Sequence, residues 1–383
     1  MADIIHPRSE IKALTGLRGI AALWVAVYHF FSHQADGIAA SGVTTPTFIA
    51  HGYLAVDVFF ALSGFVMVLS YGHLFEAAKA SNYGVFFLRR IARIYPLYVF
   101  ILALVIASNI FRHAQPFAFA ETAYNLMLIQ SWGLCQSFIG QSWSVSTEMA
   151  AYVVFPAILL ATRRSNPVAI GAILLTCFSA LIFICYFSIS VTDTRAGPLD
   201  VHDHHSALPL VRCVSEFALG VLVYRIAEYR RFARLADSDV ISVLTFFAAV
   251  GLAGTDGQDL KFSICALALI FVLSGRNVLS RIFGSRLPCF LGVISYAIYL
   301  IHDILIHPVW NIIARLHLRG DQATLASLTV YLVLSATIAL GLNVTIERSG
   351  RKALRALEAV FNRQAHSEVT RSEILGASRI RGR

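Results

Sequence analysis

Ten apolar segments follow one another along the chain, and they restrict its possible folds more than any other feature. A helix needs about 20 apolar residues to cross the hydrocarbon core of a bilayer. Because 57% of the 383 residues are apolar and only 14% are charged, several spans explain the sequence better than one large soluble core. The sequence therefore predicts an all-α, polytopic membrane bundle, with spans near residues 14–34, 52–71, 91–111, 145–162, 167–190, 208–227, 240–255, 259–275, 289–312 and 323–346.

The positions of the Lys and Arg residues predict the orientation of this bundle. With the N-terminus inside, ten spans place most of the 31 basic residues in cytoplasmic loops and in the tail. We therefore expect both termini in the cytoplasm, a membrane domain over residues 1–350 and a basic cytoplasmic tail over 351–383. The concentration of Lys and Arg on the cytoplasmic side also explains the net charge of +9, so nucleic acid is not an expected partner. The first span has no small-residue cleavage site after it and should remain as an anchor.

The first predicted span carries two ionisable residues, Arg18 and His29. Eleven residues of helix turn through about three full turns plus 20°, so both side chains leave the same face, about 16 Å apart along the axis. Such groups are costly in a membrane helix and normally face a bundle interior or a wet cavity. We interpret this helix as one wall of a site that runs through the membrane.

Four other predicted spans carry polar residues at a similar depth, in the half of the membrane far from the basic loops. Each buried ionisable group costs a few kcal/mol on insertion scales unless it is paired or solvated. Their common depth predicts a wet polar cavity. For Arg212 and Glu216 of the sixth span, a purely structural ion pair is an equally good explanation. The residues are Asp57, Ser144 with Glu148, Arg212 with Glu216, and Tyr299 with His302.

Arginines cluster at the predicted cytoplasmic side, in the stretch FFLRRIARIYPLYV and at the start of the first span. For any single arginine, ordinary positive-inside charge is the simpler explanation. Together, Arg18, Arg89, Arg90 and Arg93 form the kind of cationic entrance that a phosphate-bearing ligand from the cytoplasm would need.

No metal site is predicted. The six cysteines show no C-x-x-C or other ligand spacing, and most lie within apolar segments. A His/Asp cluster at residues 200–205 has no recognised metal-ligand spacing either, so we interpret it as a solvated outer loop.

The motifs together resemble the acyltransferase-3 family of membrane acyltransferases, which modify bacterial surface polysaccharides and related glycans. The matching stretches occur in the family's order from residue 14 to about 347. One departure is the end of the last span, Glu347-Arg348-Ser349, where a proline is expected after the acidic residue. The stretches are LRGIAALWVAVYHF, GYLAVDVFFALSGF, RRIARIYPLY, WSVSTEMAAYVVFP, RCVSEFALG and LGVISYAIYLIH.

The resemblance implies an O-acyltransferase of the bacterial cytoplasmic membrane. It implies cytoplasmic acyl-CoA, most often acetyl-CoA, as donor substrate, and no permanently bound cofactor. The acceptor would be a sugar hydroxyl of a glycan or of a lipid-linked saccharide. The arginine cluster would hold the nucleotide phosphates of CoA, and the extended thioester arm would run along the first span to His29.

In this interpretation His29 is the general base on the acceptor hydroxyl, and an acyl-imidazole intermediate remains open. Glu148 or Asp57 would orient the imidazole. The remaining predicted residues bind substrate, either the acceptor or the thioester carbonyl; they are Ser144, Arg212, Glu216, Tyr299 and His302.

A transporter or channel for an anionic solute is the main alternative, because a polar interior and a basic entrance would also serve transport. No internal repeat supports that alternative. A purely structural scaffold does not explain polar groups at matched depth. The acceptor glycan, the choice of acetyl, succinyl or a longer acyl group, and the oligomeric state stay open.

Overall fold

The computed structural model describes residues 11–33, 45–75, 80–113, 115–163, 166–187, 196–202, 206–314, 320–350 and 352–353. These residues form helices and connecting turns, with no strand among them. The helices are α1 Lys12–His33, α2 Thr47–Ala50, α3 Ala55–Tyr71, α4 Ala80–Phe111, α5 Phe119–Met127, α6 Ser142–Arg163, α7 Pro167–Tyr186, α8 Leu208–Ala227, α9 Arg230–Ala236, α10 Asp239–Ala253, α11 Asp259–Leu273, α12 Val278–Phe283, α13 Arg286–Ala314 and α14 Gly320–Leu342.

The predicted all-α membrane bundle is confirmed, with a different number of long spans. Seven helical stretches of the described chain are long and apolar enough to cross a membrane, and α9 with α10, bent by 66°, gives up to eight. Of the ten predicted spans, α8 is not among these because it carries three charged residues, Arg212, Glu216 and Arg225, and α11 has only 15 residues. The count of ten and the cytoplasmic location of both termini stay predictions. Residues 1–10 and the tail from 354 lie outside the described residues.

Helix α8 lies at the centre of the bundle rather than against lipid. Most of its residues are buried, because α3, α6, α7 and α11 surround it. A helix with apolar residues on all sides and the charged pair Arg212 and Glu216 suits that position, since neighbouring helices, not lipid, meet these two charges. The charged residues of the sixth predicted span are thereby kept away from the hydrocarbon.

Two pairs of helices approach so closely that their backbones touch. On the α1–α13 contact, a Cβ at Gly292 would lie 1.9 Å from the Thr15 carbonyl oxygen. On the α3–α8 contact, a Cβ at Gly220 would lie 1.9 Å from the Ala61 carbonyl oxygen. Small residues are what allow membrane helices to pack at this distance. These two pairs hold the residues of the site at fixed distances.

The chain leaves α14 through a π-helical turn, Asn343–Glu347, and stays helical to residue 350. Arg348 stands where a proline was expected after Glu347, and the helix continues past it to residue 350. Gly350 packs against Pro96 of α4, where a Cβ would lie 2.5 Å from the proline ring. The turn directs Glu347, which is 1% exposed, toward α4. π-helical turns of this kind occur frequently at functional sites.

Candidate active site

A cavity of about 900 Å³ lies between α1, α3, α4, α6 and α13. Seven of the twelve predicted site residues line it, which supports the predicted polar passage over part of its length. They come from four separate helices, and they include both the predicted arginine cluster and residues of the predicted polar cavity. These residues are Arg18, Arg89, Arg90, Arg93, Ser144, Glu148 and Tyr299.

One end of the cavity is strongly cationic, as predicted. Arg18 reaches across from α1 to α13 and donates to the Gly292 carbonyl oxygen at 2.8 Å. Arg93 of α4 forms an ion pair with the buried Glu347 at 3.0 Å. Arg89 lies one helical turn before Arg93 on the same wall. The arginine end is therefore assembled from α1 and α4, and α13 and the π-helical turn fix its side chains.

The middle of the cavity holds a carboxylate in a dense hydrogen-bond network. Glu148 accepts a short hydrogen bond from Ser63 and another from the Tyr152 hydroxyl at 2.5 Å. Arg90 donates to the same hydroxyl at 3.1 Å, and its guanidinium lies 4.7 Å from the Tyr152 ring centroid and 5.9 Å from that of Tyr71. Since Glu148 is the one carboxylate among the described lining residues, the cavity carries a net positive charge.

Two hydrogen-bonded hydroxyls line the end of the cavity away from the arginines. Ser144 of α6 and Tyr299 of α13 share a hydrogen bond of 2.7 Å, and both side chains are buried. The Tyr299 ring lies 5.8 Å from the ring of His302, which is one helical turn further along α13. Among the described lining residues there is no histidine, and the hydroxyl pair lies at the side of the cavity nearest His302.

His29 and His302 form a contacting pair beyond these hydroxyls. His29 Nδ1 lies 3.1 Å from His302 Nε2, and the ring centroids are 5.0 Å apart. His29 is partly buried, whereas His302 is 0% exposed. Thus Arg18 lines the cavity, but His29 does not, although both lie on α1. His29 packs against α13 through this contact.

Asp57, Arg212 and Glu216 form a second polar cluster, which is packed solid. Arg212 donates to Asp57 Oδ1 through Nε at 2.7 Å, with Nη2 2.5 Å from the same oxygen. Ser263 of α11 donates to Glu216 at 3.1 Å. All three charged side chains are at most 1% exposed, and none lines the cavity. The structural alternative for Arg212 and Glu216 fits this arrangement better than substrate binding.

Neither predicted carboxylate contact to His29 is made in this structure. Glu148 or Asp57 was expected to orient His29, but Asp57 bonds Arg212, and Glu148 bonds Ser63 and Tyr152. The physical reason is the same for both carboxylates, since helix rotation, and not depth alone, decides which neighbour a side chain meets. His302, which was expected to bind substrate, is 0% exposed and packs against α1, so substrate binding by His302 stays a prediction.

The structure also brings in residues that the sequence interpretation left out. Ser63 and Tyr152 complete the Glu148 network, and Tyr152 follows Glu148 by four residues, a spacing that places both on one helix face. At the histidine end, His33 Nε2 forms an ion pair with Asp303 Oδ1 at 3.0 Å. His33 follows His29 by four residues, so the sequence places both histidines on one face of α1 and could have indicated that His33 belongs to this end of the site.

The loop over residues 196–202 lies near the histidine end. Asp200 pairs with His202 at 3.4 Å and accepts from the Ala196 N–H at 3.0 Å. Burial raises the pKa of Asp200, but the hydrogen bond and charge of His202 outweigh it, so the pKa falls below its usual value. Within the described part of the chain, no three His, Cys, Asp or Glu residues form a group that would hold a metal ion.

A bundle of membrane-capable helices around this cavity defines an integral membrane protein with an internal polar cavity. The sequence matches the acyltransferase-3 family, described as an acyltransferase domain, over residues 11–344, and the chain belongs to that family. The resemblance predicted from its motifs is confirmed, and the protein is an acyltransferase.

Three relatives give the range of the similarity. Acyltransferase MdmB of Streptomyces mycarofaciens is 30% identical over 78% of this chain and 79% of its own length. Peptidoglycan O-acetyltransferase OatA of Listeria monocytogenes is 26% identical over 78% of this chain, which corresponds to 49% of OatA. Exopolysaccharide production protein ExoZ of Rhizobium meliloti is 23% identical over 67% of this chain and 78% of its own. No solved structure matches the chain.

Proposed function

We propose that this acyltransferase moves an acyl group, most simply acetyl, from cytoplasmic acyl-CoA to a sugar hydroxyl of a surface or secreted glycan. The observation that carries the proposal is the cavity itself. It is cationic at one end, and the other end is lined by two hydroxyls next to a histidine pair. The bacterial cytoplasmic membrane is the location that this reaction requires.

The arginine end suits the phosphates of CoA. Arg18, Arg89 and Arg93 provide planar guanidinium groups that bind phosphate oxygens in pairs, and Arg18 and Arg93 are oriented by contacts to neighbouring helices. The cavity volume lies within the range of about 300–1,000 Å³ typical of ligand sites. The nucleotide would stay at the arginines while the thinner pantetheine arm extends past Arg90 and Glu148.

The reaction is a transfer of the acyl carbon from sulfur to oxygen. His29 takes the proton of the acceptor hydroxyl, the oxygen attacks the thioester carbonyl, and the C–S bond breaks. The proton then passes from His29 to the leaving thiolate, which returns as CoA thiol. No additional oxidant, reductant or cofactor is needed to balance this exchange.

The thioester must pass the Ser144–Tyr299 hydrogen bond to reach His29. Rotation of one tyrosine side chain would open that route, because the Tyr299 ring already adjoins the His302 ring. A closed hydroxyl pair would keep water from the thioester until the acceptor binds. The same closure argues against the transporter alternative, whose solute would need a continuous route between the two sides.

A saccharide acceptor is supported by the relatives' names. OatA is described as acting on peptidoglycan, and ExoZ as acting in exopolysaccharide production. The acceptor hydroxyl would approach His29 from the side of the 196–202 loop. Which sugar it belongs to, and whether the acyl group is acetyl or longer, are decided by the acceptor side of this site.

The decisive experiment uses the purified protein in lipid nanodiscs with radiolabelled acetyl-CoA and a panel of cell-surface saccharides. We expect His29→Ala to abolish transfer while acetyl-CoA binding and thermal stability remain. His307→Ala is the matched control, since His307 is an exposed histidine of the same outer region. Near wild-type transfer by His29→Ala would remove His29 from the chemistry. Mass spectrometry of surface glycans from cells with and without the protein identifies the acyl group and the acceptor.

A further inference from the structure

His302 has no role in the proposed chemistry, yet its ring lies within hydrogen-bond distance of the His29 ring. It is 0% exposed, so it does not meet the acceptor directly in this arrangement. It lies on α13 and faces α1, with its Nε2 atom 3.1 Å from His29 Nδ1. A fully buried imidazole beside a proposed general base can influence which nitrogen of that base carries the proton.

The neighbours of His302 fix where its proton is. Its Nδ1 lies 2.8 Å from the Tyr299 carbonyl oxygen and 3.3 Å from that of Ile298. Carbonyl oxygens only accept hydrogen bonds, so Nδ1 must carry a hydrogen. A neutral imidazole carries one N–H, which leaves a lone pair on His302 Nε2. Neutrality is favoured because a buried imidazolium is costly, and the carboxylate of Asp303 bonds His33 instead.

The neighbours of His29 then fix its own tautomer. His29 Nδ1 lies 3.0 Å from the Val25 carbonyl oxygen and 3.1 Å from His302 Nε2. Both of those atoms are acceptors, so His29 Nδ1 carries the hydrogen and shares it between them, as three-centre hydrogen bonds do. The lone pair of His29 is therefore on Nε2.

We propose that His302 is a positioning residue that holds the His29 ring in its Nδ1–H form and leaves Nε2 as the atom that takes the acceptor's proton. This inference rests on the proposed role of His29. When Nε2 gains that proton, the Nδ1–H becomes a stronger donor, and His302 Nε2 accepts from it. A histidine thus performs the orienting function that a carboxylate performs in other catalytic sites.

A neutral orienting residue suits the fully buried position of His302. Glu148 is occupied by Ser63 and Tyr152, and Asp57 is bound to Arg212, so neither carboxylate reaches His29. A carboxylate in the place of His302 would bury a negative charge whenever His29 is neutral. With a second imidazole, the resting pair carries no charge, and positive charge is present only during the reaction.

The test compares two substitutions at this position. His302→Gln keeps a carbonyl acceptor near the place of Nε2, whereas His302→Leu removes it at similar volume. We expect His302→Leu to lower kcat by about 100-fold, within the range for general-base catalysis, with KM for acetyl-CoA changed less than about twofold. His302→Gln should restore kcat to within about tenfold of the wild type. Thermal unfolding of both variants shows whether they fold.

A spectroscopic measurement separates this inference from the proposed function. In protein labelled with ¹⁵N-histidine, the signals lost in His29→Ala identify His29 among the 13 histidines. We expect an unprotonated Nε2 signal for His29 in the wild type and in His302→Gln, and a larger Nε2–H fraction in His302→Leu. An unchanged His29 spectrum in His302→Leu would overturn the inference, as would equal loss of kcat in both variants. Undiminished transfer by His29→Ala would instead overturn the proposed chemistry.

Discussion

Two groups of charged residues lie within the membrane region, and they are built in opposite ways. Around Glu148 the side chains surround a cavity of about 900 Å³ that Arg18, Arg89, Arg90 and Arg93 also line. Around Arg212 the side chains fill their space, and Asp57 and Glu216 are at most 1% exposed. Glu148, Asp57 and Arg212 all lie near the first turns of their helices. Depth therefore identifies residues that are costly to bury, but only packing distinguishes a binding site from a structural ion pair.

The largest expected effect comes from the buried cluster of Asp57, Arg212 and Glu216. Arg212→Ala leaves two buried carboxylates without their cation, which should destabilise the protein by about 3–5 kcal/mol. We expect little folded protein by size-exclusion chromatography in detergent and a strongly lowered Tm. Asp57→Asn combined with Arg212→Gln should recover part of that loss. A folded Arg212→Ala protein that fails only in acyl transfer would place Arg212 in the site after all.

Removal of an arginine that lines the cavity should affect binding and not folding. We expect Arg89→Gln to raise KM for acetyl-CoA by about tenfold, since one charged hydrogen bond contributes roughly 1.5–3 kcal/mol. Arg231→Gln is the matched control, because Arg231 is a basic, exposed residue of α9 outside the cavity. Equal effects of the two substitutions on KM would mean that general positive charge, not the cavity, attracts the donor.

The hydroxyl pair at the end away from the arginines gives a smaller and more specific effect. Tyr299→Phe removes the hydrogen bond to Ser144 and should increase the hydrolysis of acetyl-CoA without acceptor by about fivefold, as expected for one neutral hydrogen bond. Release of CoA thiol in the absence of saccharide measures this leak. Tyr95→Phe, which removes a tyrosine hydroxyl hydrogen-bonded to the Met127 carbonyl oxygen, serves as control. Hydrolysis that stays at the wild-type rate would exclude the pair as a barrier.

The smallest expected effect concerns the ion pair between Arg93 and Glu347. Glu347→Gln removes the charge that holds the Arg93 guanidinium in place, so phosphate binding should lose part of its preorganisation. We expect KM for acetyl-CoA to rise by about threefold, with kcat nearly unchanged. Isothermal titration with CoA measures the same change without turnover. A lower KM would show instead that Glu347 competes with the phosphates for Arg93.

Much of the fold was predictable because it depends on segment length and hydropathy. The all-α membrane bundle and the arginine end followed from apolar segments and from basic residues beside them. The contact between His29 and His302 did not follow, because these spans are apolar on most faces and their pattern does not set helix rotation. Likewise, the 15-residue length of α11 and the buried position of α8 depend on neighbouring helices, which one sequence pattern does not encode.

Within the site, spacing along one helix was informative and partners across helices were not. Four-residue steps correctly indicate that Glu148 and Tyr152 share a face. Nothing in the sequence indicates that Ser63, rather than His29, meets Glu148. Long-range pairs of this kind depend on how α3 and α6 are rotated toward each other, and that rotation is fixed by packing over the whole bundle.

The backbone contacts at Gly292 and Gly220 determine how this enzyme can change shape. They join α1 to α13 and α3 to α8, and we expect each pair to move as one unit. The cavity is lined by α1, α3, α4, α6 and α13, so a substrate that widens it would shift α3, α4 or α6 relative to the α1–α13 pair. His29 and His302 both lie on the α1–α13 pair, so we expect their spacing to stay constant while the width of the donor channel changes beside them.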